Sequence, residues 1–257
     1  MKDITDQKVY VIDEMFGDFG FYRDPDLLKP EFQKLINPKL ANISGVEKYL
    51  GLLSNVGYAW KKVLKYEIYF EKFYVADNSI EGFEALNHHI HAYLQDMDTL
   101  KNKIKLLLDN LKKDLKHIAS NKQDVISFID AGNQKNFEVF DGVLEHRRQH
   151  VHKGMRFTDG DLLKAETAHF SLEMFANPVF DVLINQKYKP ELITKFQKEK
   201  KESFENAKTR WVEMARKNNT QVTGWLDSLL RVVRPSLYQF LKIKSVHGLI
   251  NATQNKK

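Results

Sequence analysis

The sequence predicts an all-α protein: a long antiparallel four-helix-bundle core with additional C-terminal helices. Three observations indicate this class. Apolar residues recur at spacings of three and four along almost the whole chain, which is the period of a helix with one buried face. The 257 residues include only 12 glycines and 6 prolines, so turn-rich clusters are few. No segment carries the pattern of a β-hairpin.

The N-terminal part is predicted as one helix over residues 5–22, followed by a connector. Three closely spaced prolines indicate that connector: Pro25, Pro30 and Pro38. A capping box, Ser44 with Glu47 three residues later, is predicted to open a helical region that runs to about residue 76. Its buried candidates are Val46, Leu50, Leu53, Trp60, Leu64 and Ile68.

The clearest element is a long helix predicted to begin near Ser79. Nine apolar residues follow one another without a break in the pattern: Phe83, Leu86, Ile90, Tyr93, Met97, Leu100, Ile104, Leu107 and Leu111. This a/d pattern is typical of a helix packed along a partner at a shallow angle. The helix could extend roughly 60 Å at about 1.5 Å per residue. Its partners are predicted in the preceding helix and in a second stripe, Phe137, Phe140, Leu144 and Val151.

The C-terminal third is predicted to hold further helices. After Gly154, Thr158 and Asp159 are expected to cap a helix that ends near Pro178. Pro190 is expected in the first turn of the next helix, because proline has no amide hydrogen to lose there. The residues predicted to face inward on it are Ile193, Phe196, Phe204, Trp211 and Met214. Two shorter helical pieces are predicted on either side of Pro235.

Charge is distributed unevenly along the chain. From Gln186 to the end, 16 Lys and Arg stand against 6 Asp and Glu, a net of +10, whereas the remaining 185 residues hold 24 and 28, a net of −4. We therefore predict an N-terminal helix and connector over 1–43, a helical bundle over 44–185, and a basic extension over 186–257 that can belong to the same domain. Such an extension suits nucleic acid or an anionic surface. A lysine-rich, solvated helix face is the structural alternative.

The composition excludes several classes of protein. The chain has no cysteine, so it forms no disulfide, no thiolate metal site and no cysteine nucleophile. No run of about 18 apolar residues is present, and acidic residues stand where a secretion signal needs basic ones. We expect a cytoplasmic protein with no membrane contact. Glycine-rich phosphate loops, nucleophile elbows and zinc-protease motifs are also absent from the sequence.

One segment concentrates chemically active side chains. Residues 146–152 contain three histidines and two arginines. Arg147 continues the stripe of Phe140 and Leu144, so its guanidinium is expected on the packed face, where it needs an anionic or carbonyl partner. Arg148 falls about 100° away, and His152 stands at the end of the helix. Cations near a helix C-terminus also favourably meet the helix dipole, which explains the cluster without any function.

The arrangement R-x4-H, formed by Arg147 and His152 on a helical bundle, resembles the signature of the HEPN superfamily (higher eukaryotes and prokaryotes nucleotide-binding domains). The resemblance covers about residues 45–185. It implies a homodimer in which the motifs of two subunits face one cleft, and a metal-independent endoribonuclease of the toxin or defence type, with an antitoxin or another regulatory protein as a possible partner. In the family a small polar residue usually follows the arginine, whereas Arg148 stands here, which leaves room for a binding or inactive member.

The resemblance gives the candidate residues defined roles. Arg147 would hold the scissile phosphate of RNA, and His152 would transfer protons as general base or acid. The neighbouring Arg148, His150 and Lys153 are candidate substrate contacts. The alternatives are a nucleotide-binding module and a non-catalytic helical protein in which the long heptad helix mediates self-association.

Two other groups contain residue types that can bind a metal. His88 and His91 stand one turn apart, a spacing compatible with a metal, although the inward stripe of their helix places His88 and His89 towards the sides. Glu166 and His169 form a Glu-x-x-His, but a di-iron bundle needs a second copy, which the sequence lacks. We therefore predict neither a metal nor another cofactor.

Overall fold

The computed structural model describes residues 10–34, 36–72, 80–116, 122–153, 159–179 and 186–249, and within the helix that includes residues 122–153 it describes the side chains of 123–145. The described residues form α-helices over Val11–Arg23 (α1), Pro30–Gln33 (α2), Ile43–Leu64 (α3), Tyr66–Lys72 (α4), Gly82–Leu115 (α5), Lys122–Lys153 (α6), Gly160–Ala176 (α7) and Lys189–Leu241 (α8). A helical turn follows at 246–249, and none of these residues lies in a β-strand. The all-α prediction is confirmed.

Contacts divide the chain into two compact units, each built from separate segments. Unit 1 contains Met1–Lys61, Asp98–Asp141 and Thr220–Lys257, and unit 2 contains Lys62–Met97 and Gly142–Asn219. Helices α3, α5, α6 and α8 contribute residues to both units. The boundaries at 44 and 186, which were placed by composition and charge, stay sequence predictions.

In unit 1, neighbouring helices of the bundle run antiparallel. Residues further along α3 meet residues earlier in α5, because Lys48 pairs with Asp114 and Tyr58 lies beside Lys103. The same reversal relates α5 to α6, where Lys112 pairs with Asp130 and Asn136 donates to the carbonyl of Lys101. It also relates α3 to α8, where Tyr49 contacts Phe240 and Trp60 Nε1 donates to Thr223 at 2.9 Å. The predicted core of long antiparallel helices is confirmed.

The buried face of α5 is the one that the sequence predicts. All nine predicted stripe residues are buried, with exposures between 0% and 6%. The helix has 34 residues, which corresponds to about 51 Å at about 1.5 Å per residue, somewhat shorter than predicted. An unbroken apolar repeat therefore located both the helix and its buried side.

The start of α3 differs from the predicted capping box. The helix begins at Ile43, and the side chain of Asn42 accepts the amide hydrogen of Gly45 at 3.0 Å. The Asn42 amide in turn donates to the carbonyl of Leu241 at 2.9 Å. Ser44 is therefore inside the helix, and its assignment as the cap was wrong. Contact with the end of α8 fixes the helix start two residues earlier.

Two predicted core residues are exposed. Ile68 is 56% exposed, because a turn at Lys65 separates α3 from α4 and shifts the inward face to Tyr66 and Phe70. Phe137 is 43% exposed, because the neighbouring Asn136 occupies the core position at 2% exposure. Both predictions were wrong because hydrophobic spacing does not show a helix break or a buried amide.

The end of the chain also differs from the prediction. Helix α8 runs without interruption for 53 residues and includes Pro235, which was expected to separate two shorter pieces. Pro235 is exposed, so water can reach the carbonyl group whose helical hydrogen bond is lost. Among the described residues, no helix is long and apolar enough to cross a membrane.

Unit 2 packs around aromatic side chains. Trp211 is 1% exposed, and Phe70 lies between its ring at 5.9 Å and that of Tyr93 at 5.5 Å, measured between centroids. Pro190 occupies the first turn of α8, as predicted. Of the predicted inward residues of α8, only Trp211 is fully buried, whereas the others are half-buried: Ile193, Phe196, Phe204 and Met214. The small residues Ala207 and Ala215 occupy the closest contact positions.

Candidate functional site

The predicted site lies at the C-terminal end of α6, within unit 2. The backbone is helical through Lys153. Five candidate side chains lie outside the described ones: Arg147, Arg148, His150, His152 and Lys153. Their positions on the helix are given by its backbone, and their contacts stay predictions.

The register of α6 separates the two motif positions. Val143 and Leu144 are 5% and 3% exposed, and position 147 follows them by one turn on the same side of the helix. Because an α-helix has 3.6 residues per turn, positions 147 and 152 are about 140° apart and about 7.5 Å apart along the axis. Position 148 shares a face with position 152 through the i, i+4 relation. On one copy of the helix, position 148 is therefore closer to position 152 than position 147 is.

The next helix, α7, begins seven residues after Lys153 and is anchored by a charged network. Asp159, which is 7% exposed, caps α7 by accepting the amide hydrogens of Asp161 and Leu162. It also accepts from Trp211 Nε1 at 2.9 Å and pairs with the guanidinium of Arg210, which contacts Asp161 as well. The predicted cap at Asp159 is confirmed, whereas Thr158 lies outside the described residues.

The charge of Arg210 is balanced by Asp159 and Asp161. Burial disfavours its charged form, but the hydrogen bonds and charges of Asp159 and Asp161 outweigh burial and raise the pKa of the guanidinium. The hydrogen bond from Arg210 also lowers the pKa of the Asp161 carboxyl. Sequence analysis did not identify Arg210 as a residue with a specific role. The only local signal was the cap-forming Asp159, and its partner is about fifty residues away in the chain.

The remaining arginines of the basic extension also contact carboxylates. These pairs are Arg216 with Glu67 at 2.8 Å, Arg231 with Asp227 at 2.9 Å and Arg234 with Glu14 at 2.5 Å. Their charges are therefore largely balanced within the fold. Any phosphate contact by the extension would depend mainly on its lysines, of which Lys195, Lys201 and Lys217 are exposed.

His169 belongs to a charged cluster in unit 2. Lys200 Nζ is 3.2 Å from His169 Nδ1 and 2.8 Å from Glu81. Because an ammonium group can only donate, Nδ1 accepts, and the ring proton of neutral His169 is on Nε2, 3.4 Å from Glu173. Glu166 is exposed and is not part of these contacts. Lys200 therefore lies beside His169 Nδ1, where a metal ion bound to that nitrogen would have to lie.

The three histidines at 88, 89 and 91 differ in their exposure and contacts. His88 is exposed, His91 is half-buried, and His89 stacks on Tyr69 with the ring centroids 6.0 Å apart. Within the described ranges, no three His, Asp or Glu side chains are grouped so that they could hold a metal ion.

A small cavity of about 10 Å³ opens in unit 1 between α1, α3 and α8. It is lined by Tyr10, Ile12, Trp60, Thr223, Leu226, Asp227 and Leu230. Asp227, its only ionisable carboxylate, already accepts from the amide of Val11 and from Arg231. Ligand sites for drug-sized molecules are about 300–1,000 Å³, so this cavity is too small for a typical substrate.

No protein-family model matches the chain, and neither the curated proteins nor the solved structures contain a significant match.

Proposed function

We propose that the protein binds RNA at the end of α6 and cleaves it without a metal ion, as a HEPN-like endoribonuclease of the toxin or defence type. The observation that carries this proposal is the cluster of three histidines and two arginines within residues 146–152. The helical backbone of α6 supports it, because all seven residues are on one element next to the buried Val143 and Leu144. A cytoplasmic homodimer is part of the proposal.

The proposed reaction needs no group beyond phosphate-binding cations and proton carriers. A neutral His152 removes the proton of a ribose 2′-hydroxyl, and that oxygen attacks the adjacent phosphorus. Arg147 stabilises the charge on the non-bridging oxygens. A protonated His152 from the second copy of the chain gives its proton to the departing 5′-oxygen. The products are a 2′,3′-cyclic phosphate and a 5′-hydroxyl.

The helix register adds a role for Arg148. Because positions 148 and 152 share a face, Arg148 can bind the phosphate whose proton transfers His152 performs. Arg147, on the side of Val143 and Leu144, keeps its proposed role at the non-bridging oxygens, and Arg148 adds a second cation to the same phosphate. His150 and Lys153 provide further contacts with the backbone of the RNA.

The test is cleavage of a labelled single-stranded RNA in the presence of a chelator. Wild-type protein is compared with Arg147→Ala, Arg148→Ala and His152→Ala. We expect the loss of one proton-transfer group to slow cleavage by about 10²- to 10⁴-fold, and the products of the wild type to carry 2′,3′-cyclic phosphates.

Matched controls are His88→Ala, an exposed histidine, and Arg231→Ala, an arginine on α8. Both should cleave at the wild-type rate. Cleavage that is undiminished in His152→Ala, or that is abolished by the chelator, contradicts the proposed chemistry.

The alternative of self-association through the long heptad helix has less support. The heptad stripe of α5 is buried in the core of this chain, so its apolar face is already covered. An interaction module would have to use another surface. The exposed Leu163 and Phe170, one heptad apart on α7, are the described apolar residues that favour this function. Light scattering of Phe170→Asp measures whether they hold two copies together.

A further inference from the structure

The outer side of α5 in unit 1 is bordered by two exposed aromatic rings, each with a lysine above it. Tyr58 of α3 is 72% exposed, and Lys103 Nζ lies 5.9 Å from its ring centroid. Phe137 of α6 is 43% exposed, and Lys101 Nζ lies 4.7 Å from its centroid. Both rings therefore keep part of their surface in contact with solvent.

The two rings stand on opposite sides of the same stretch of α5. The side of α5 that carries Lys103 faces α3, and the side that carries Lys101 faces α6. Between them the outward face presents Asn102, Lys105 and the 52% exposed Leu106. Helices in contact are about 8–10 Å apart, so the two rings are separated by roughly 20 Å across α5. We call this surface, from Tyr58 through residues 101–106 to Phe137, the α5 outer surface.

The charge around the α5 outer surface is positive. Residues 98–116 contain six lysines and three aspartates, a net of +3. Lys105 and Lys112 pair with Asp109 and Asp130, and the ammonium groups of Lys101 and Lys103 lie over aromatic rings. An anionic partner with flat apolar groups therefore fits this surface better than an acidic peptide, which would leave the rings without stacking partners.

We propose that the α5 outer surface binds single-stranded RNA, with bases stacked on Tyr58 and Phe137 and phosphates beside Lys101 and Lys103. Exposed rings accept unpaired bases of any sequence, while neighbouring lysines follow the backbone. A duplex hides its base faces and could use only the lysines. The choice of RNA as the ligand rests on the proposed function. The surface is formed within unit 1 and shares no residue with the end of α6.

The size of the surface sets the length of the probe. At about 3.4 Å per stacked nucleotide, a span of roughly 20 Å corresponds to about six nucleotides. A 12-nucleotide strand therefore covers it with both ends free. A fluorescein-labelled 2′-O-methyl strand is used, because it lacks the hydroxyl group that attacks the phosphate and cannot be cut by the proposed reaction.

Fluorescence anisotropy measures the Kd of this strand for the full chain. Tyr58→Ala and Phe137→Ala should each weaken binding about tenfold, the usual effect of removing one stacking ring. The matched control is Phe128→Ala, an exposed ring on the side of α6 opposite Phe137, which should leave the Kd within twofold of wild type. Lys103→Ala should lower the slope of log Kd against log salt by roughly 0.7, since one phosphate contact is lost.

Three results would overturn the inference: an unchanged Kd in both ring variants, an equal loss in Phe128→Ala, or no binding of the strand by wild-type protein. Equally tight binding of a 12-base-pair duplex with the same dependence on Tyr58 also contradicts stacking. The proposed function is tested separately, by cleavage in the His152→Ala variant. If cleavage requires His152 but binding is unchanged in Tyr58→Ala and Phe137→Ala, only the proposed α5 outer surface is rejected. If binding requires the two rings but cleavage does not require His152, only the proposed nuclease is rejected.

Discussion

Replacing Asp18 with alanine is expected to destabilise unit 1 strongly. The Asp18 carboxylate is fully buried in α1 and accepts four hydrogen bonds, three from the turn at 246–249 and one from Tyr238 of α8. One oxygen accepts from the amides of Val246 and His247 and from His247 Nδ1, and the other accepts from the Tyr238 hydroxyl at 2.7 Å. Burial and the nearby carboxylate raise the pKa of Tyr238, so its hydroxyl remains the donor.

The magnitude follows from the groups that lose their acceptor. In Asp18→Ala the Tyr238 hydroxyl and the Val246 amide, which belong to residues 6% and 0% exposed, are left without a partner. Each such buried donor costs about 1–3 kcal/mol. We therefore expect the free energy of unfolding to fall by about 2–6 kcal/mol. Asp18→Asn keeps one acceptor oxygen and should lose only about 1–2 kcal/mol.

Urea unfolding followed by far-ultraviolet circular dichroism measures this change, and hydrogen exchange at the amide of Val246 reports the turn directly. Asp13→Ala is the matched control on the same helix. Its pair with Lys61 is solvent-exposed, and such pairs contribute at most about 1 kcal/mol. An Asp18→Ala protein as stable as Asp13→Ala, with a protected Val246 amide, would refute the proposed role of the buried carboxylate.

Other parts of the fold give further expectations. Asp159→Ala removes the α7 cap and the acceptor of Trp211 and should cost about 2–4 kcal/mol in urea unfolding. Leu100→Ala opens a cavity at a fully buried stripe position and should cost about 2–5 kcal/mol in the same assay. Pro235→Ala restores a helical hydrogen bond at an exposed site and should raise the melting temperature. Arg210 lowers the pKa of Asp161 below its usual 3.8, so the Asp161 carboxylate stabilises the fold above this pH and its contribution is lost on further acidification. In Asp161→Asn the free energy of unfolding should therefore depend less on pH in this acidic range.

The sequence was most informative where one helix buries a continuous apolar stripe. The stripe of α5 was predicted in full, because its nine apolar residues recur at spacings of three and four and no polar residue takes a stripe position. The stripe of α6 was only partly predicted, since Asn136 occupies a core position by donating to the carbonyl of Lys101 at 3.1 Å. A hydrogen bond to another helix leaves no trace in hydrophobic periodicity.

Helix ends were harder to predict than helix faces. Asn42 and Ser44 are both good cap residues, and the contact of the Asn42 amide with Leu241, about two hundred residues later, decides between them. A proline usually marks the end of a helix, but α8 continues through Pro235 because residues on both sides of it are packed in the core: Val233 and Leu237 are 3% and 1% exposed. Arg210 was missed for a related reason, because its carboxylate partners are distant in the sequence.

The most direct measurement of the central claim is photocross-linking of RNA that contains 4-thiouridine, with the cross-linked peptides identified by mass spectrometry. If RNA binds at the end of α6, cross-links will map to residues 142–153 and will diminish in Arg148→Ala and His152→Ala. Cross-links that are absent from 142–153 in the wild-type protein would contradict the account, whichever other surface they label.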